Sequence, residues 1–323
     1  SLKKKLNKIL SIILPLLLGV FLIIYTYHSF TGEQIQKMKS YFVNANYYFV
    51  FFSGILAFIG YVLRAYRWKY TLEYIGYPSD FKFNFAAVSI GYFLNLTIPR
   101  SGEISRAALL TKYKNVPFDK GFGTIISERI VDFIILLLFI FSAILLEFAT
   151  LKNFLLKYIP LNKLVFILVL GILMGSIGLY FLLHSKIKII VKIREKISGL
   201  TEGILSVFKM PNKWIFLGYT LLIWFTYVLM FYSVIFALEE TRIITFSAVL
   251  VAFVIGSLTI AFTNGGFGFF PVLIAEILVL YQIPIEAGNA FGWIVWTSQL
   301  VVTIFFGGVA FLILPTFSKK EIN

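Results

Sequence analysis

The sequence predicts an all-α protein that crosses a membrane several times, and three observations carry this prediction. Hydrophobic residues make up 59% of the 323 residues, whereas charged residues make up 14%. The mean hydropathy is +0.91. The apolar residues form runs of about 20, the length that a helix needs to span the hydrocarbon core. No polar stretch is long enough for a water-soluble domain, so residues 1–323 are predicted to form a single transmembrane domain.

Composition also excludes several kinds of site. The chain contains no cysteine, which rules out disulfides and thiolate metal centres. Its two histidines lie at the ends of apolar runs without metal-ligand spacing, so neither a metal nor a cofactor is predicted. A net charge of +14 would suggest a nucleic-acid partner in a soluble protein. Here most of the basic residues lie on one predicted side of the membrane, which explains the net charge, and no nucleic-acid partner is expected.

Six apolar runs are predicted to be full spans. They cover residues 9–28, 46–66, 123–148, 163–184, 214–238 and 288–314. The first run lacks a small-residue cleavage site, so it is interpreted as a retained helix rather than a signal peptide. Residues 149–162 are interpreted as a loop between two spans.

Two further apolar regions, 83–113 and 245–281, are interrupted in the middle. The break residues are Pro99, Arg100 and Gly102 in the first region, and Asn264, Gly265, Gly266 and Gly268 in the second. Each half holds about 13–18 residues, or roughly 20–27 Å of helix, which is short for a full span. Each region is therefore predicted to be a re-entrant helical hairpin. The alternatives are an ordinary cytoplasmic loop at the first break and a tight external turn at the second.

The basic residues predict the orientation. Alternating spans place 20 of the 29 lysines and arginines on one side, six on the other, and leave Arg100, Arg106 and Arg129 at membrane depth. The positive-inside rule then puts both termini in the cytoplasm. Residues 46–148 form one span–hairpin–span repeat, and residues 214–314 form a second repeat with inverted topology. Paired interrupted segments in inverted halves point to the central site of a transporter.

Residues 185–212, between the two repeats, contain an amphipathic segment. Ile189, Ile193, Ile197, Leu200 and Ile204 share one helical face, and lysines and glutamates occupy the rest. This pattern predicts an interfacial helix on the anionic cytoplasmic leaflet. A helix that binds a partner protein is the alternative.

The polar residues around the first break are the leading candidates for a binding site. If a helix begins near Gly102, then Glu103 and Arg106 share a face and Arg100 lies in the turn at its N-terminus, soon after Asn95. A helix N-terminus offers unpaired N–H donors and a positive dipole end. With two guanidinium groups added, the segment predicts a site for a phosphate or carboxylate. Glu103 is expected to hold an arginine when no ligand is bound.

A second charged group lies at the start of the next span. Glu128 and Asp132 are four residues apart, hence on one face, with Arg129 beside them. We expect them to balance the charge of the hairpin arginines, and a sharper hypothesis is that one carboxylate takes up a proton during transport. A purely structural ion-pair network is the alternative. For Arg67, the alternative to a binding role is interfacial anchoring by the segment from Arg64 to Trp68, with snorkelling arginines and a tryptophan at the membrane surface.

At these residues the chain resembles the lysylphosphatidylglycerol synthase transmembrane family, also described as flippase-like membrane proteins. The matching elements are Arg67-Trp68, Gly91 to Asn95, Pro99 with Gly102-Glu103 and Arg106, Glu128-Arg129 with Asp132, and Gly265 to Gly268. The resemblance runs from about residue 10 to 315 and implies two inverted repeats that carry a lipid across the membrane. Bifunctional members continue into a soluble domain that transfers an amino acid to phosphatidylglycerol. We expect a stand-alone membrane module here, without aminoacyl-lipid synthesis.

The chain also departs from the family pattern at the second break. The family's glycine motif usually has a proline before it and a glutamate shortly after it. Here Phe262-Thr263-Asn264 precedes the motif and Pro271 takes the position of the glutamate. An acidic residue on this hairpin, and with it the charge of the substrate, is therefore left open.

Together these features predict a lipid flippase or scramblase that moves a phospholipid or polyprenyl-phosphate lipid through a charged midplane cavity between the hairpins. Its partners would be membrane lipids with anionic headgroups, and a homo-oligomer or a lipid-modifying partner enzyme is left open. Usage rich in Lys, Ile, Asn and Phe suggests a bacterium and its inner membrane. The predicted binding residues are Arg67, Asn95, Arg100, Glu103, Arg106, Glu128, Arg129 and Asp132. Two other classes compete: a membrane-embedded lipid-phosphate transferase, and a non-catalytic subunit of a lipid-modifying complex.

Overall fold

The computed structural model describes residues 2–263 and 265–319, which are almost entirely α-helical and contain no β-strand. This confirms the predicted all-α fold class. The α-helices of these residues are α1 (Leu2–Ser29), α2 (Gly32–Asn44), α3 (Tyr47–Tyr74), α4 (Phe81–Thr97), α5 (Ser101–Lys114), α6 (Phe118–Leu146), α7 (Phe148–Tyr158), α8 (Leu161–His184), α9 (Lys188–Lys209), α10 (Lys213–Val234), α11 (Phe246–Phe262), α12 (Phe269–Val279) and α13 (Ile285–Ile313). Short 3₁₀ segments at Ile235–Ala237 and Leu314–Lys319 extend α10 and α13.

Five of these helices are long and apolar enough to cross a membrane: α3, α6, α8, and α10 and α13 with their 3₁₀ extensions. A sixth span results if Leu16–Ser29 of α1 and the whole of α2, which meet at an angle of 114°, are counted together. The prediction of about six spans is therefore confirmed as five to six. The run predicted at 46–66 is longer in the structure, because α3 continues to Tyr74 and buries Arg67 and Trp68 on the way.

Two helices lie where none was predicted, and the predicted amphipathic helix is present. Residues 149–162 are not a simple loop, because α7 occupies Phe148–Tyr158 and packs Leu151 against the core. The helix α2 begins with a capping box, in which the side chains of Thr31 and Gln34 each accept a hydrogen bond from the other residue's backbone N–H. The helix α9 fills most of residues 185–212, and its position on a membrane surface stays a prediction.

The first interrupted region forms two helices that pack against each other, α4 and α5. An ion pair of 2.8 Å between Lys114 Nζ and Asp80 Oδ2 joins the C-terminus of α5 to the N-terminus of α4, so the pair is a hairpin. Burial tends to raise the pKa of Asp80. The hydrogen bonds from Lys114 and from the backbone N–H of Phe83 outweigh this effect, and the pKa lies below its usual range. Re-entry of this hairpin into the membrane stays a prediction.

The second interrupted region forms α11 and α12, which also pack against each other. Between them, Gly265, Gly266 and Gly268 have φ values of 63°, 79° and 75°, a conformation that favours glycine because it has no Cβ. A Cβ on Gly268 would lie 2.5 Å from the carbonyl oxygen of Gly19. The turn therefore packs directly against the backbone of α1.

Both interrupted regions rest on α13, and glycines of α13 allow the close approach. A Cβ on Gly292 would lie 2.6 Å from Cα of Pro271 in α12. A Cβ on Gly307 would lie 2.5 Å from Cβ of Phe93 in α4. Because one helix contacts both hairpins, α13 fixes the position of the two breaks relative to each other.

The buried apolar residues form separate clusters around the two regions. The largest cluster joins α10, α11, α12 and α13 with part of α6, and includes Phe253, Phe270 and Phe291. A smaller cluster joins α3, α4, α5 and α6 around Trp68 and Phe83. This smaller cluster supports the polar residues of the first break.

Candidate functional site

The start of α5 is shaped by a close contact between two glycines. Arg100 precedes α5 in the left-handed conformation, with φ 60°, and its side chain is exposed. The backbone N–H of Gly102 donates to Asn95 Oδ1 over 2.8 Å. A Cβ on Gly102 would lie 2.2 Å from the carbonyl oxygen of Gly91. Asn95 therefore already accepts from one of the N–H groups at the helix N-terminus that were predicted to bind a ligand.

One turn further along α5, Arg106 points into the protein. Its Nη2 lies 3.1 Å from Glu128 Oε2 of α6. Its Cζ lies 4.1 Å from the centroid of the Trp68 ring, and the Nε1 of that indole donates to Thr124 Oγ1 over 2.9 Å. Arg106 and Glu128 are 4% and 2% exposed, so water contributes little to either charge. The prediction that Glu128 balances a hairpin arginine agrees with this geometry.

A second ion pair joins the same two helices closer to solvent. Arg129 Nη2 lies 2.8 Å from Glu103 Oε1, and the two side chains are 35% and 20% exposed. Glu103 thus holds an arginine of α6, not an arginine of its own hairpin. This pair is the more accessible of the two contacts between α5 and α6, and it lies nearer to Arg100 along the chain.

Asp132 pairs with two arginines of α3. Its carboxylate oxygens lie 2.7 and 3.1 Å from the two terminal nitrogens of Arg67, which is a bidentate contact. Arg64 Nη1 lies 3.2 Å from Asp132 Oδ2. From α10, Trp224 Nε1 donates to Asp132 Oδ1 over 3.2 Å, and Thr220 accepts from Arg67 over 3.1 Å. Asp132 therefore holds α3, α6 and α10 together, and its partners are arginines of α3 rather than the hairpin arginines that it was expected to balance.

Arg64, Thr220, Trp224 and Tyr227 belong to this network, but none was among the predicted binding residues. Arg64 Nε donates to the hydroxyl of Tyr227 over 2.5 Å. A signal was present in the sequence: Arg64 precedes Arg67 by three residues and so shares its helical face. The three residues of α10 recur at intervals of four and three, which marks a polar face on an otherwise apolar helix.

The charges of this cluster do not cancel. Arg64, Arg67, Arg106 and Arg129 face Glu103, Glu128 and Asp132, so four arginines against three carboxylates leave one net positive charge. Among the described residues, the buried Nε groups of three of these arginines have no hydrogen-bond acceptor, and one oxygen each of Glu103 and Glu128 has no donor. We call these seven residues the charged cluster. It can attract an anion and offer it arginine N–H groups.

The structure brings together most, but not all, of the predicted binding residues. Arg67, Glu103, Arg106, Glu128, Arg129 and Asp132 lie in the charged cluster, with Asn95 at its edge. Arg100 makes no side-chain hydrogen bond or ion pair with the described part of the chain. Interfacial anchoring by Arg67 and Trp68 is wrong, because both side chains are fully buried. The use of Arg67 as a binding residue stays a prediction.

The second break lies outside the charged cluster. Asn264 falls outside the described residues. Gly265 accepts a hydrogen bond of 2.9 Å from Trp296 Nε1 at its carbonyl oxygen. Glu276 of α12 is exposed, so no evidence places it in the charged cluster. The predicted midplane cavity between the two hairpins stays a prediction. Two cavities that the described residues line are near Phe51 and near Tyr281.

Comparison with known proteins places these features in a family. The sequence profile described as "Lysylphosphatidylglycerol synthase TM region" matches residues 12–317. A curated relative, described as a UPF0104 membrane protein of Methanocaldococcus jannaschii, is 32% identical over 127 residues, which cover 38% of this chain and 37% of the relative. The match thus spans little more than a third of the relative's length. No solved structure matches the chain at a significant level.

Proposed function

The chain belongs to the lysylphosphatidylglycerol synthase transmembrane-region family, and from this premise we propose that it moves a phosphate-bearing lipid across the membrane, as a flippase or scramblase. The charged cluster is the single observation that carries the proposal. Ionisable side chains inside a membrane protein are costly to bury. One ion pair would be enough to join two helices, whereas four arginines and three carboxylates lie together across α3, α5 and α6.

The geometry supports an entry order for an anionic headgroup. Arg100 is exposed at the break and makes the first contact. The half-exposed pair of Arg129 and Glu103 follows, and a phosphate competes with Glu103 for the guanidinium group of Arg129. Arg106 lies deeper and takes the phosphate next, because the planar guanidinium fork matches phosphate geometry. Asp132 is a positioning residue in this scheme: it holds Arg64 and Arg67 in place and does not meet the ligand.

Headgroup-labelled lipid movement in proteoliposomes tests this role. We expect Arg100→Gln and Arg129→Gln to slow the movement of a phospholipid, since each removes a contact on the entry path. Glu103→Gln removes the competitor for Arg129 and should also change the rate. The matched control is Lys112→Gln, which removes an exposed positive charge from α5, outside the charged cluster. Equal rates in all four variants and the wild type, or no protein-dependent movement at all, would contradict the proposal.

We further propose that this multi-pass protein lies in the cytoplasmic membrane with both termini inside, and that the two breaks open to opposite sides. The orientation rests on the bias of basic residues, and the opposite openings on the inverted order of spans and hairpins. Because the chain has no cysteine, Pro99→Cys and Phe262→Cys each create a unique label site at an exposed position. Labelling of Pro99→Cys from the cytoplasmic side and of Phe262→Cys from the other is expected. Labelling of both from one side would overturn the inverted arrangement.

A further inference from the structure

The helix α9 presents one arc of side chains to the protein and a different arc outwards. Ile190, Val191 and Arg194 are half-buried, whereas Ile189 and Ile193 are 67% and 46% exposed. The two exposed isoleucines are four residues apart and therefore share a face. These two residues of the predicted apolar stripe thus face away from the rest of the described chain.

Lysines flank this exposed stripe. Lys188 and Lys192 each precede an exposed isoleucine by one residue, so their side chains lie about 100° around the helix from it, and both are exposed. Between residues 186 and 209 the sequence has six basic and two acidic residues, for a net charge of +4. A stripe of apolar side chains with lysines along its border suits a surface that is apolar inside and negatively charged at its boundary.

The rest of the chain holds α9 in place at two points. Arg194 Nε donates to the carbonyl oxygen of Leu182 over 2.7 Å, and its Nη2 donates to that of Ser185 over 2.6 Å. These bonds tie α9 to the end of α8. Near its other end, Val207 is buried in a cluster with Val131 of α6 and Phe216 of α10. The exposed arc is therefore presented by a helix that is held in place near both ends.

We propose that the exposed arc of α9 docks on an anionic lipid leaflet, with Ile189 and Ile193 among the acyl chains and Lys188 and Lys192 at the phosphates. Charge complementarity selects this occupant over the others, because a neutral partner surface would leave the lysines unpaired. The neighbouring helix α8 is apolar, and its membrane-length segment has no buried residue. We therefore expect lipid around α8, next to the start of α9. The proposal does not depend on lipid movement by the charged cluster.

A single environment-sensitive dye can report the docking. The chain has no cysteine, so Ile193→Cys labelled with a nitrobenzoxadiazole dye gives one probe in the stripe. The full chain is reconstituted into vesicles of phosphatidylcholine with or without phosphatidylglycerol. We expect the emission to shift to the blue when phosphatidylglycerol is present. The shift should weaken at high salt, because salt screens the lysines.

Charge variants separate the anionic leaflet from other occupants. Each lysine near an anionic surface changes binding about 5-fold, so Lys188→Gln with Lys192→Gln should lower the docked-to-undocked ratio about 25-fold and reduce the shift. The control, Lys37→Gln with Lys39→Gln, removes the same charge from α2 and should leave the shift unchanged. A blue shift that is independent of phosphatidylglycerol, one that grows with the protein-to-lipid ratio as for a second copy, or none at all would overturn the proposal.

Discussion

The two helix–break–helix regions have the same outline and opposite chemistry. At the first break, α5 begins beside Gly91 and carries Glu103 and Arg106 into the charged cluster. At the second, three glycines with positive φ turn the chain between α11 and α12, and their neighbours are aromatic rings and the backbone of α1.

This difference indicates that the two regions have different roles. A break in a membrane helix frees backbone groups that must be satisfied by protein or water. At the first break a side chain, Asn95, does this, and the surrounding charges can meet a ligand. At the second break Trp296 does it from the supporting helix α13. We infer that headgroup chemistry belongs to the first region, and that the second region contributes shape and packing.

The largest effect is expected from removing the charge that organises the first region. Asp132→Asn leaves the buried Arg64 without its carboxylate and leaves Arg67 with only the longer contact of 3.9 Å to Glu128. Removing one partner of a buried ion pair costs about 3–5 kcal/mol, so we expect a loss of that order in the free energy of unfolding. A denaturing titration with sodium dodecyl sulfate in mixed micelles measures it.

The control for this variant is Asp119→Asn, which removes an exposed carboxylate from the same helix. Its effect should be within about 0.5 kcal/mol of zero, as for most surface substitutions. If the two variants lost equal stability, the charged cluster would not organise the first region, and the comparison between the breaks would fail.

A smaller effect, similar at both breaks, is expected from filling the space beside a glycine. In Gly102→Ala the new Cβ meets the carbonyl of Gly91, and in Gly268→Ala it meets the backbone of Gly19 at an unfavourable φ. Overpacking of this kind costs about 1–3 kcal/mol, and the same titration measures it. For Gly123→Ala, where no atom lies within 4 Å of the new Cβ, we expect no loss. Destabilisation at only one break would show that the two breaks do not depend in the same way on close packing beside a glycine.

The sequence predicts the helices well because a membrane imposes one strong rule, a run of apolar residues of sufficient length. It places both breaks correctly, since proline and glycine are local signals. It misses α2, which is largely polar, and α7, whose apolar residues form a run too short to stand out. It also predicts that carboxylates of α6 balance the hairpin arginines, because a buried charge is costly unless it is paired, and the structure pairs Glu128 with Arg106.

The part of the site contributed by α10 was not predicted, because its residues are uncharged and far away in the sequence. Thr220 and Trp224 meet Arg67 and Asp132 only through the packing of α3 on α10. The sequence shows a short polar face on α10, but no spacing rule pairs that face with α3. Which arginine Glu103 holds was likewise undetermined, since Arg100 and Arg106 lie three residues away on either side and Arg129 lies on the next predicted span.

The smallest effect, and the sharpest separation of the two regions, is expected from Trp296→Phe at the second break. The variant keeps an aromatic ring but loses the hydrogen bond from Nε1 to the carbonyl oxygen of Gly265, which is worth about 1 kcal/mol. Trp293→Phe is the matched control, because the same atoms are removed without loss of a hydrogen bond in the described structure. If the second region contributes packing alone, Trp296→Phe lowers the free energy of unfolding more than Trp293→Phe does, while both move labelled anionic and zwitterionic lipids in the wild-type ratio. A changed ratio in Trp296→Phe alone would place headgroup recognition at the second break as well.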